Sequence, residues 1–281
     1  MSAQREKSGT TARWHLQLVC WIEARAPSSI LDCHPSASYV PENEVSSNHL
    51  LTSNFNSHTC ERAAARQASP TRSQTKEAER RLSDLGYWTG SVDGIFDSGS
   101  QSALIAFQKW EGRPITGQLT IDELEAIRTS ASPKAREVGY AHVEVDLDRQ
   151  VLMLVNDEGN VRVLPVATGK DKPFVDEGQN SIAYTPRGRF IVYDKEVGWH
   201  TGSLGSIYYA NFISGGVAIH GSHNVPNQPA SHGCIRVPMF AAREVSKLLK
   251  LGTIVLVYDK VSFVSAKSWA QNPKLTRRPI D

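Results

Sequence analysis

Hydrophobic residues in the first quarter of the chain follow no regular spacing. Residues 1 to about 72 are dominated by Ser, Thr, Asn, Ala and Arg, and they sustain neither the two-residue period of a strand nor the 3.6-residue period of a helix. The best apolar run, residues 16–22, is short for the hydrophobic part of a signal peptide and is followed at once by Glu23. This pattern predicts a disordered or leader segment over residues 1–72, without a convincing signal peptide.

Helical spacing of hydrophobic residues begins in the next segment. Ala78, Leu82 and Leu85 fall on one face of a helix that ends at Gly86, a residue type common at helix C-termini. After a turn-rich loop, the inner face of a second helix comprises Ala103, Leu104, Phe107 and Trp110. With a short third helix after it, this segment predicts a small three-helix domain over residues 73–130.

Two capping-box patterns predict where the second and third helices begin. Ser98 with Gln101 precedes the second helix, and Thr120 with Glu123 precedes the third. In a capping box each of the two side chains bonds a backbone N–H that the first turn leaves unpaired. A proline and mixed charges then predict a linker over residues 131–139.

From residue 140 onward the hydrophobic spacing shortens to that of β-strands. The strand-like runs are residues 142–147, 151–155, 161–167, 189–193, 217–219 and 253–258. One helical pattern, residues 239–249, lies between the last two runs. Many strands with one helix predict a mostly-β domain over residues 140–259, arranged as a sandwich or barrel, with a C-terminal tail over residues 260–281.

Charge and hydropathy narrow the possible partners. The chain has 31 basic and 29 acidic residues, a formal net charge of +2, which is too close to neutral to indicate a nucleic acid as the main partner. No apolar run reaches about 18 residues, so no transmembrane span is predicted. The sequence does not fix an oligomeric state.

The cysteines are distributed unevenly along the chain. Cys20, Cys33 and Cys60 lie in the first segment, and Cys234 is the one cysteine of the mostly-β domain. None of them forms a CxxC pair, so we expect neither a metal site nor a disulfide framework, and no cofactor. A lone cysteine is more often an apolar filler than a nucleophile, so the neighbours of Cys234 decide its role.

The residues around Cys234 favour nucleophilic chemistry. His220 ends an apolar strand fourteen residues before the cysteine, and Gly233 places the cysteine in a turn that we expect at the start of the helix. A thiol near a helix N-terminus and within reach of an imidazole has a lowered pKa. The N–H groups of Gly233 and Cys234 are then free to stabilise an oxyanion, a contribution of ~3 kcal/mol.

The small domain carries a pattern of loop and core residues. The pattern comprises Leu82, Leu85-Gly86-Tyr87, Val92-Asp93-Gly94-Ile95-Phe96, Ala103, Phe107-Gln108, Thr116-Gly117 and Leu119-Thr120. It resembles the peptidoglycan-binding domain of the PG_binding_1 type. These residues indicate the fold, and the resemblance implies that the domain holds the protein on peptidoglycan.

The residues around Cys234 form a second, more specific pattern. It comprises His220-Gly221 and Ser231-His232-Gly233-Cys234-Ile235-Arg236, with Ala167-Thr168-Gly169 and Thr185-Pro186-Arg187-Gly188 earlier in the domain. It resembles the catalytic motif of the YkuD-type L,D-transpeptidases over about 120 residues. The stretch between His220 and Ser231 is short for that family and contains Pro226 and Pro229, which makes the loop stiff.

The resemblance implies a role for each residue of the motif. Cys234 attacks the amide carbonyl of a donor stem peptide and forms a thioester, and His220 is the general base. The backbone carbonyl of Gly221 orients that imidazole, so no carboxylate is needed as a third member. Substrate-binding roles fall to Ser231, His232 and Arg236, with Arg236 expected both to meet a substrate carboxylate and to brace the loop.

Several functions remain open on these residues. The favoured one is an L,D-transpeptidase that cross-links peptidoglycan or exchanges a terminal D-amino acid, and the alternative is an L,D-carboxypeptidase or a hydrolase of protein–peptidoglycan crosslinks using the same cysteine. A catalytically inactive wall-binding protein is disfavoured by the intact motif, and a papain-like protease by the order of histidine before cysteine. Because the expected substrate lies outside the cytoplasmic membrane, we expect a periplasmic or wall-associated protein.

Overall fold

The computed structural model describes residues 68–261. The predicted leader, with Cys20, Cys33 and Cys60, and most of the predicted C-terminal tail lie outside the described residues. From Ser69 onward the described residues belong to one compact unit. Within this part of the chain no helix is long and apolar enough to cross a membrane.

Three helices form the first part of this unit, as the hydrophobic spacing predicts. They are α1 (Arg72–Asp84), α2 (Ser98–Glu111) and α3 (Ile121–Thr129). The helix α1 begins earlier than its apolar spacing suggests, because Thr71 and Gln74 form a capping box there. The three-helix domain is therefore present as a fold.

One of the two predicted caps is at a different residue. The helix α2 is capped by Asp97, whose carboxylate accepts a hydrogen bond from the Ser100 N–H at 2.9 Å, and Ser98 is already its first helical residue. A carboxylate is also favourable beside the positive end of the helix dipole. The helix α3 is capped as predicted by Thr120, which accepts from the Glu123 N–H.

The second part of the unit is mostly β-strand, as predicted. The strands are β1 (His142–Asp146), β2 (Val151–Val155), β3 (Val161–Pro165), β4 (Pro173–Asp176), β5 (Gln179–Ile182), β6 (Gly188–Ile191), β7 (Asp194–Lys195), β8 (Trp199–Gly202), β9 (Gly205–Ser214), β10 (Val217–Ser222), β11 (Ile235–Pro238) and β12 (Ile254–Tyr258). The helix α4 (Met239–Leu248) lies between β11 and β12. The hydrophobic spacing did not predict β4, β5, β7, β8, β9 or β11; all of these except β9 are only two to four residues long.

Two sheets pack against each other as a sandwich. One has the order β3-β2-β1-β12-β6, and the other has the order β11-β10-β9-β7, with β8 paired to β9. The strands β4 and β5 form a separate hairpin. Between the sheets lies a core that includes Val145, Leu152, Ile219 and Ile235, with α4 contributing Val245.

The strand β2 is buried on both faces. Because side chains alternate along a strand, Leu152 faces the sandwich core while Val151, Met153 and Val155 face the other way. These three residues share a second core with the helices, which supply Leu104 and other apolar side chains. The three-helix domain therefore packs directly on the outer face of the first sheet.

The segment between the helices and β1 is also fixed to the sheet. The buried Glu144 carboxylate of β1 accepts hydrogen bonds from the backbone N–H groups of Arg136 and Glu137, at 2.8 and 2.9 Å. The Tyr258 hydroxyl donates to the same carboxylate at 2.9 Å. The predicted linker is therefore hydrogen-bonded to a buried residue in the middle of β1, the central strand of the first sheet.

Candidate active site

Two neighbouring parallel strands bring the candidate residues together. The strands β10 and β11 are paired so that His220 is opposite Arg236 and Ile219 is opposite Ile235. Cys234 comes just before β11, two residues ahead of Arg236, and therefore shares a face with Arg236 and His220. The Cys234 Sγ contacts the backbone of β10 at the Ala218 N–H, two residues before His220 on the same strand.

The His220 imidazole is held by its own strand. The side chain is buried, 5% exposed, and its Nδ1 lies 2.9 Å from the carbonyl oxygen of Gly221. A carbonyl oxygen only accepts hydrogen bonds, so we assign the proton to Nδ1, which leaves Nε2 with a free lone pair. Burial lowers the pKa of His220; the Gly221 hydrogen bond acts in the opposite direction, and Arg236 adds a smaller lowering effect.

The Cys234 thiol lies in a desolvated position, and this changes one expectation. Its Sγ accepts from the Ala218 N–H at 3.5 Å and lies 3.6 Å from the Gly216 carbonyl oxygen. Burial raises the pKa of the thiol, and the Ala218 N–H and Arg236 lower it by less. The expected helix N-terminus is not at the cysteine, because β11 lies between Cys234 and α4. A thiol with a pKa lowered by a helix was therefore a wrong prediction.

The turn before Cys234 is held by the hydroxyl group of Ser231. Its Oγ accepts from the Gly233 N–H at 3.0 Å and donates to the Cys234 carbonyl oxygen at 2.6 Å. Ser231 is only 1% exposed, so it braces the turn and does not present its hydroxyl to a substrate, contrary to the expectation from sequence. The Gly233 N–H is already engaged, whereas the Cys234 N–H makes no hydrogen bond within residues 68–261.

Gly233 has a backbone conformation that other residues rarely adopt. Its φ is +143°, and a Cβ atom there would lie 2.9 Å from the Tyr184 carbonyl oxygen. Its own carbonyl oxygen accepts from the buried Thr185 hydroxyl at 2.7 Å, and the same hydroxyl accepts from the Gly169 N–H at 2.8 Å. No role was expected for Thr185 from the sequence, although it belongs to the Thr185-Pro186-Arg187-Gly188 part of the motif.

The His232 side chain contacts the β4–β5 hairpin. Its ring packs on Phe174 of the β4–β5 hairpin, with ring centroids 4.6 Å apart. Burial, then Lys170 and Arg236, lower the pKa of His232, and Asp176 of the same hairpin acts in the opposite direction. The hairpin therefore lies beside the motif and forms part of its surroundings.

Arg236 supplies positive charge to the site. Its backbone is paired with Ala167, at 3.0 and 3.2 Å, which fixes the start of β11 against the first sheet. Its guanidinium group is half-buried and forms no ion pair with a described carboxylate. The charge is therefore free to attract an anionic group brought to Cys234.

No cluster of metal-binding side chains occurs among the described residues. The site consists of a thiol, an imidazole, a guanidinium and oriented backbone groups, which are the parts used for acyl transfer.

The comparisons with known proteins agree with this arrangement. Residues 140–257 match the L,D-transpeptidase catalytic domain family, and residues 71–127 match the peptidoglycan binding domain family. The crystal structure of the L,D-transpeptidase (residues 123–326) from Xylanimonas cellulosilytica is 34% identical, with 69% of this chain and 96% of that chain covered and a TM-score of 0.63. No curated protein matches the chain.

Other solved structures are less similar. An L,D-transpeptidase from Stackebrandtia nassauensis is 23% identical over 66% of this chain and 90% of its own, with a TM-score of 0.40. The catalytic domain of the L,D-transpeptidase from E. faecium is 27% identical over 43% of this chain and 99% of its own, with a TM-score of 0.34.

The fold and the site define a β-sandwich enzyme of the bacterial cell wall with a small helical domain packed on it. The chain belongs to the L,D-transpeptidase family.

Proposed function

We propose that the protein transfers acyl groups between peptidoglycan stem peptides through a thioester on Cys234. The observation that carries this proposal is the parallel pairing of β10 with β11, which begins just after Cys234 and puts His220 opposite Arg236, with His220 Nδ1 bonded to the Gly221 carbonyl oxygen. That bond leaves Nε2 as the atom that accepts a proton. A nucleophile beside a base that a third group orients is the usual arrangement for covalent acyl transfer.

The pKa directions indicate how the thiol is activated. Burial raises the pKa of Cys234 and lowers that of His220, so the resting site holds a neutral thiol and a neutral imidazole. His220 Nε2 takes the thiol proton as the sulfur attacks the donor amide carbonyl. The C–S bond forms, the C–N bond breaks, and the proton on Nε2 passes to the departing amine.

The second half of the reaction reverses these steps with a different amine. The acceptor amine loses a proton to His220 Nε2 and attacks the thioester carbonyl. The new C–N bond forms, the C–S bond breaks, and the sulfur recovers the proton. The Cys234 N–H is the proposed donor to the oxyanion of both tetrahedral intermediates, replacing Gly233, whose N–H is held by Ser231.

Two groups near Cys234 are proposed to bind substrate. The unpaired Arg236 guanidinium is suited to the carboxylate of a stem peptide, because a guanidinium binds carboxylates with two parallel hydrogen bonds. His232, packed on Phe174, is proposed to line the peptide groove. The three-helix domain is proposed to hold the enzyme on peptidoglycan, in the periplasm or at the wall, where this substrate is found.

A carbapenem tests the nucleophile directly, because its strained amide mimics the donor. Incubation of the full chain should add one carbapenem mass, located on Cys234 by peptide mapping. Cys234→Ala should give no adduct and His220→Ala should form it at least 100-fold more slowly, as expected for loss of a general base. His200→Ala, an exposed histidine of β8, is the matched control and should react like the wild type.

A natural substrate separates the transferase from the hydrolase. With a disaccharide-tetrapeptide, a transpeptidase yields a cross-linked dimer, whereas an L,D-carboxypeptidase yields only the tripeptide. An adduct that persists in Cys234→Ala would refute the proposed nucleophile, and a dead His232→Ala beside an active His220→Ala would refute the proposed base.

A further inference from the structure

A buried lysine connects the three-helix domain to the catalytic domain. Lys109, in the last turn of α2, is 5% exposed, and burial lowers its pKa to about 8. Its Nζ donates to the carbonyl oxygens of Gln150 at 3.3 Å and Val166 at 3.0 Å. It forms no ion pair with any carboxylate in residues 68–261. Burying an ammonium group without an ion pair costs free energy. We therefore expect the two hydrogen bonds to carbonyl oxygens to serve a role that outweighs this cost.

Gln150 connects Lys109 to residues further inside the catalytic domain through its backbone and its side chain. Gln150 is 3% exposed and has a φ of +55°, which is unusual for a residue with a side chain. Its Nε2 donates to the Leu147 carbonyl oxygen at 2.7 Å and to Thr168 Oγ1 at 2.8 Å, and its Oε1 accepts from the Thr168 N–H at 3.0 Å. The carboxamide is therefore fully used, mostly in fixing Thr168.

Thr168 in turn holds the segment that leads to the nucleophile. Its carbonyl oxygen accepts from the N–H groups of Ala230 and Ser231, at 2.8 and 2.9 Å. The Ser231 hydroxyl then bonds Gly233 and Cys234 within the turn. A series of hydrogen bonds, connected through the residues Gln150, Thr168 and Ser231, thus joins α2 to the turn that carries Cys234.

A second contact joins the same two regions independently. The Asn227 side chain, in the loop between β10 and Cys234, donates to the Ile115 carbonyl oxygen of the three-helix domain at 3.2 Å. The loop before the nucleophile is therefore bonded to the helical domain at one point and, through Thr168, indirectly at another.

We infer that Lys109 is a positioning residue for the nucleophile: by fixing the Gln150 and Val166 carbonyls it sets, through Gln150, Thr168 and Ser231, the geometry of the turn that carries Cys234. The role deepens the proposed acyl transfer and rests on it. Reacting groups must be held within fractions of an ångström, so a small shift of this turn slows attack without abolishing the fold. The three-helix domain is then part of the catalytic framework as well as a binding module.

The test compares full-length variants at Lys109 and Gln150. Lys109→Met removes the donors at similar length, Gln150→Leu removes the carboxamide, and the double variant combines them. Lys76→Met, an exposed lysine of α1, is the matched control. Two rates are measured: carbapenem acylation under saturation, and iodoacetamide alkylation of Cys234 against pH, with the modified peptide identified by mass.

The expected result has three parts. Lys109→Met lowers the saturating rate of carbapenem acylation about tenfold with the half-saturating concentration unchanged, as a 1 Å displacement costs up to 100-fold. The midpoint of the Cys234 alkylation profile moves to higher pH, because a displaced thiol loses the Ala218 N–H that lowers its pKa. The double variant is no slower than the slower single variant, since both act on one series of contacts.

Folding is checked by a cooperative melt above the assay temperature. If Lys109→Met does not fold, Lys109→Gln replaces it, because its shorter side chain keeps N–H donors but does not span both carbonyls. Wild-type rates and an unchanged alkylation midpoint in a folded Lys109 variant overturn the inference, as do fully multiplicative effects in the double variant. If the wild type forms no carbapenem adduct, the proposed function fails, while the alkylation profile still decides the role of Lys109.

Discussion

At the scale of single residues, the site is built to stay neutral until a substrate arrives. Burial opposes charge on both Cys234 and His220, raising the pKa of the thiol and lowering that of the imidazole. A neutral thiol is a poor nucleophile, which limits reaction with unintended electrophiles. In the proposed mechanism, proton transfer to His220 is coupled to attack of the sulfur on a bound donor.

The charge of Arg236 affects all three titratable groups of the motif, which gives a pH prediction. Arg236 lowers the pKa values of His220, His232 and Cys234, so in Arg236→Gln each of these pKa values should rise. His220 then stays protonated to higher pH, and the acidic limb of the acylation profile should move to higher pH.

Arg236→Lys is the control, because it keeps the positive charge. Its pH profile should resemble that of the wild type, while its affinity for a donor carboxylate should fall, since an ammonium cannot bind it with two parallel hydrogen bonds. Carbapenem acylation measured from pH 5 to 10 checks both variants. A profile of Arg236→Gln that moves to lower pH would contradict the prediction.

Gly233 sets the direction of the turn and gives a second prediction. In Gly233→Ala the added Cβ would lie 2.9 Å from the Tyr184 carbonyl oxygen at a φ that L-residues rarely adopt. We expect a loss of about 1–3 kcal/mol in the free energy of unfolding and at least a 100-fold slower acylation, because the turn must move. Gly202→Ala, at an ordinary φ with no atom within 4 Å, should behave like the wild type in urea unfolding and in acylation.

At the scale of secondary structure elements, β2 shows how the outer face of the sheet is used. Its residues alternate between the sandwich core and the helical core, so the strand packs against other parts of the protein on both faces of the sheet. A continuous apolar run is typical of strands covered on both faces. The apolar run Val151–Val155 therefore indicates that another part of the protein packs on the outer face of this sheet. It does not indicate that the three helices are the part that packs there.

This double burial predicts that a change on the outer face costs as much as a change in the sandwich core. Met153→Ala should lower the free energy of unfolding by about 2–5 kcal/mol, as for other large buried side chains, because Met153 is fully buried under the helices. The matched control is Ile191→Ala on the edge strand β6, where the side chain is 53% exposed and the cost should be small. Equal costs in urea unfolding would show that the helices do not cover this face in solution.

At the scale of the whole molecule, the three-helix domain and the sandwich behave as one folded body. They share an apolar core, the Lys109 and Asn227 hydrogen bonds, and a short parallel bridge between Tyr87 and Val163. A tether would let the domains move independently, whereas this interface fixes the distance between the three-helix domain and Cys234.

The lysine at this interface predicts a pH dependence of stability. The pKa of Lys109 falls from its usual 10.5 to about 8 in the folded protein. Between these values the unfolded chain binds more protons, so stability rises with pH, by up to about 3 kcal/mol from this residue. Tyr87 in the same core has a pKa raised by burial and stays neutral over this range.

Urea unfolding at several values between pH 7 and pH 10.5 measures this effect. The wild type should gain stability relative to Lys109→Met as the pH rises. Lys76→Met, which changes an exposed lysine, should keep the pH dependence of the wild type. Parallel curves for the wild type and Lys109→Met would mean that Lys109 is not buried as a cation.

Much of this architecture follows from local patterns. The 3.6-residue spacing of Ala78, Leu82 and Leu85 located α1, and the runs at Val151–Val155 and Ile254–Tyr258 located two central strands, because amphipathic or buried elements carry their period in the sequence. The short polar strands β4, β5, β7 and β8 were missed, since strands of two to four residues gain their hydrogen bonds from neighbours and carry almost no period of their own.

The sequence by itself determined which chemical groups are present in the mostly-β domain. They are the thiol of Cys234, the imidazole of His220 and the other residues of the Ser-His-Gly-Cys-Ile-Arg motif. The tertiary structure decided how these groups act. The strand β11 lies between Cys234 and the helix N-terminus, and the Ser231 hydroxyl accepts a hydrogen bond from the Gly233 N–H. Burial raises the pKa of the thiol and so keeps it neutral. It also decided that Lys109 contacts the catalytic domain, because hydrogen bonds and desolvation depend on neighbours that are distant along the chain.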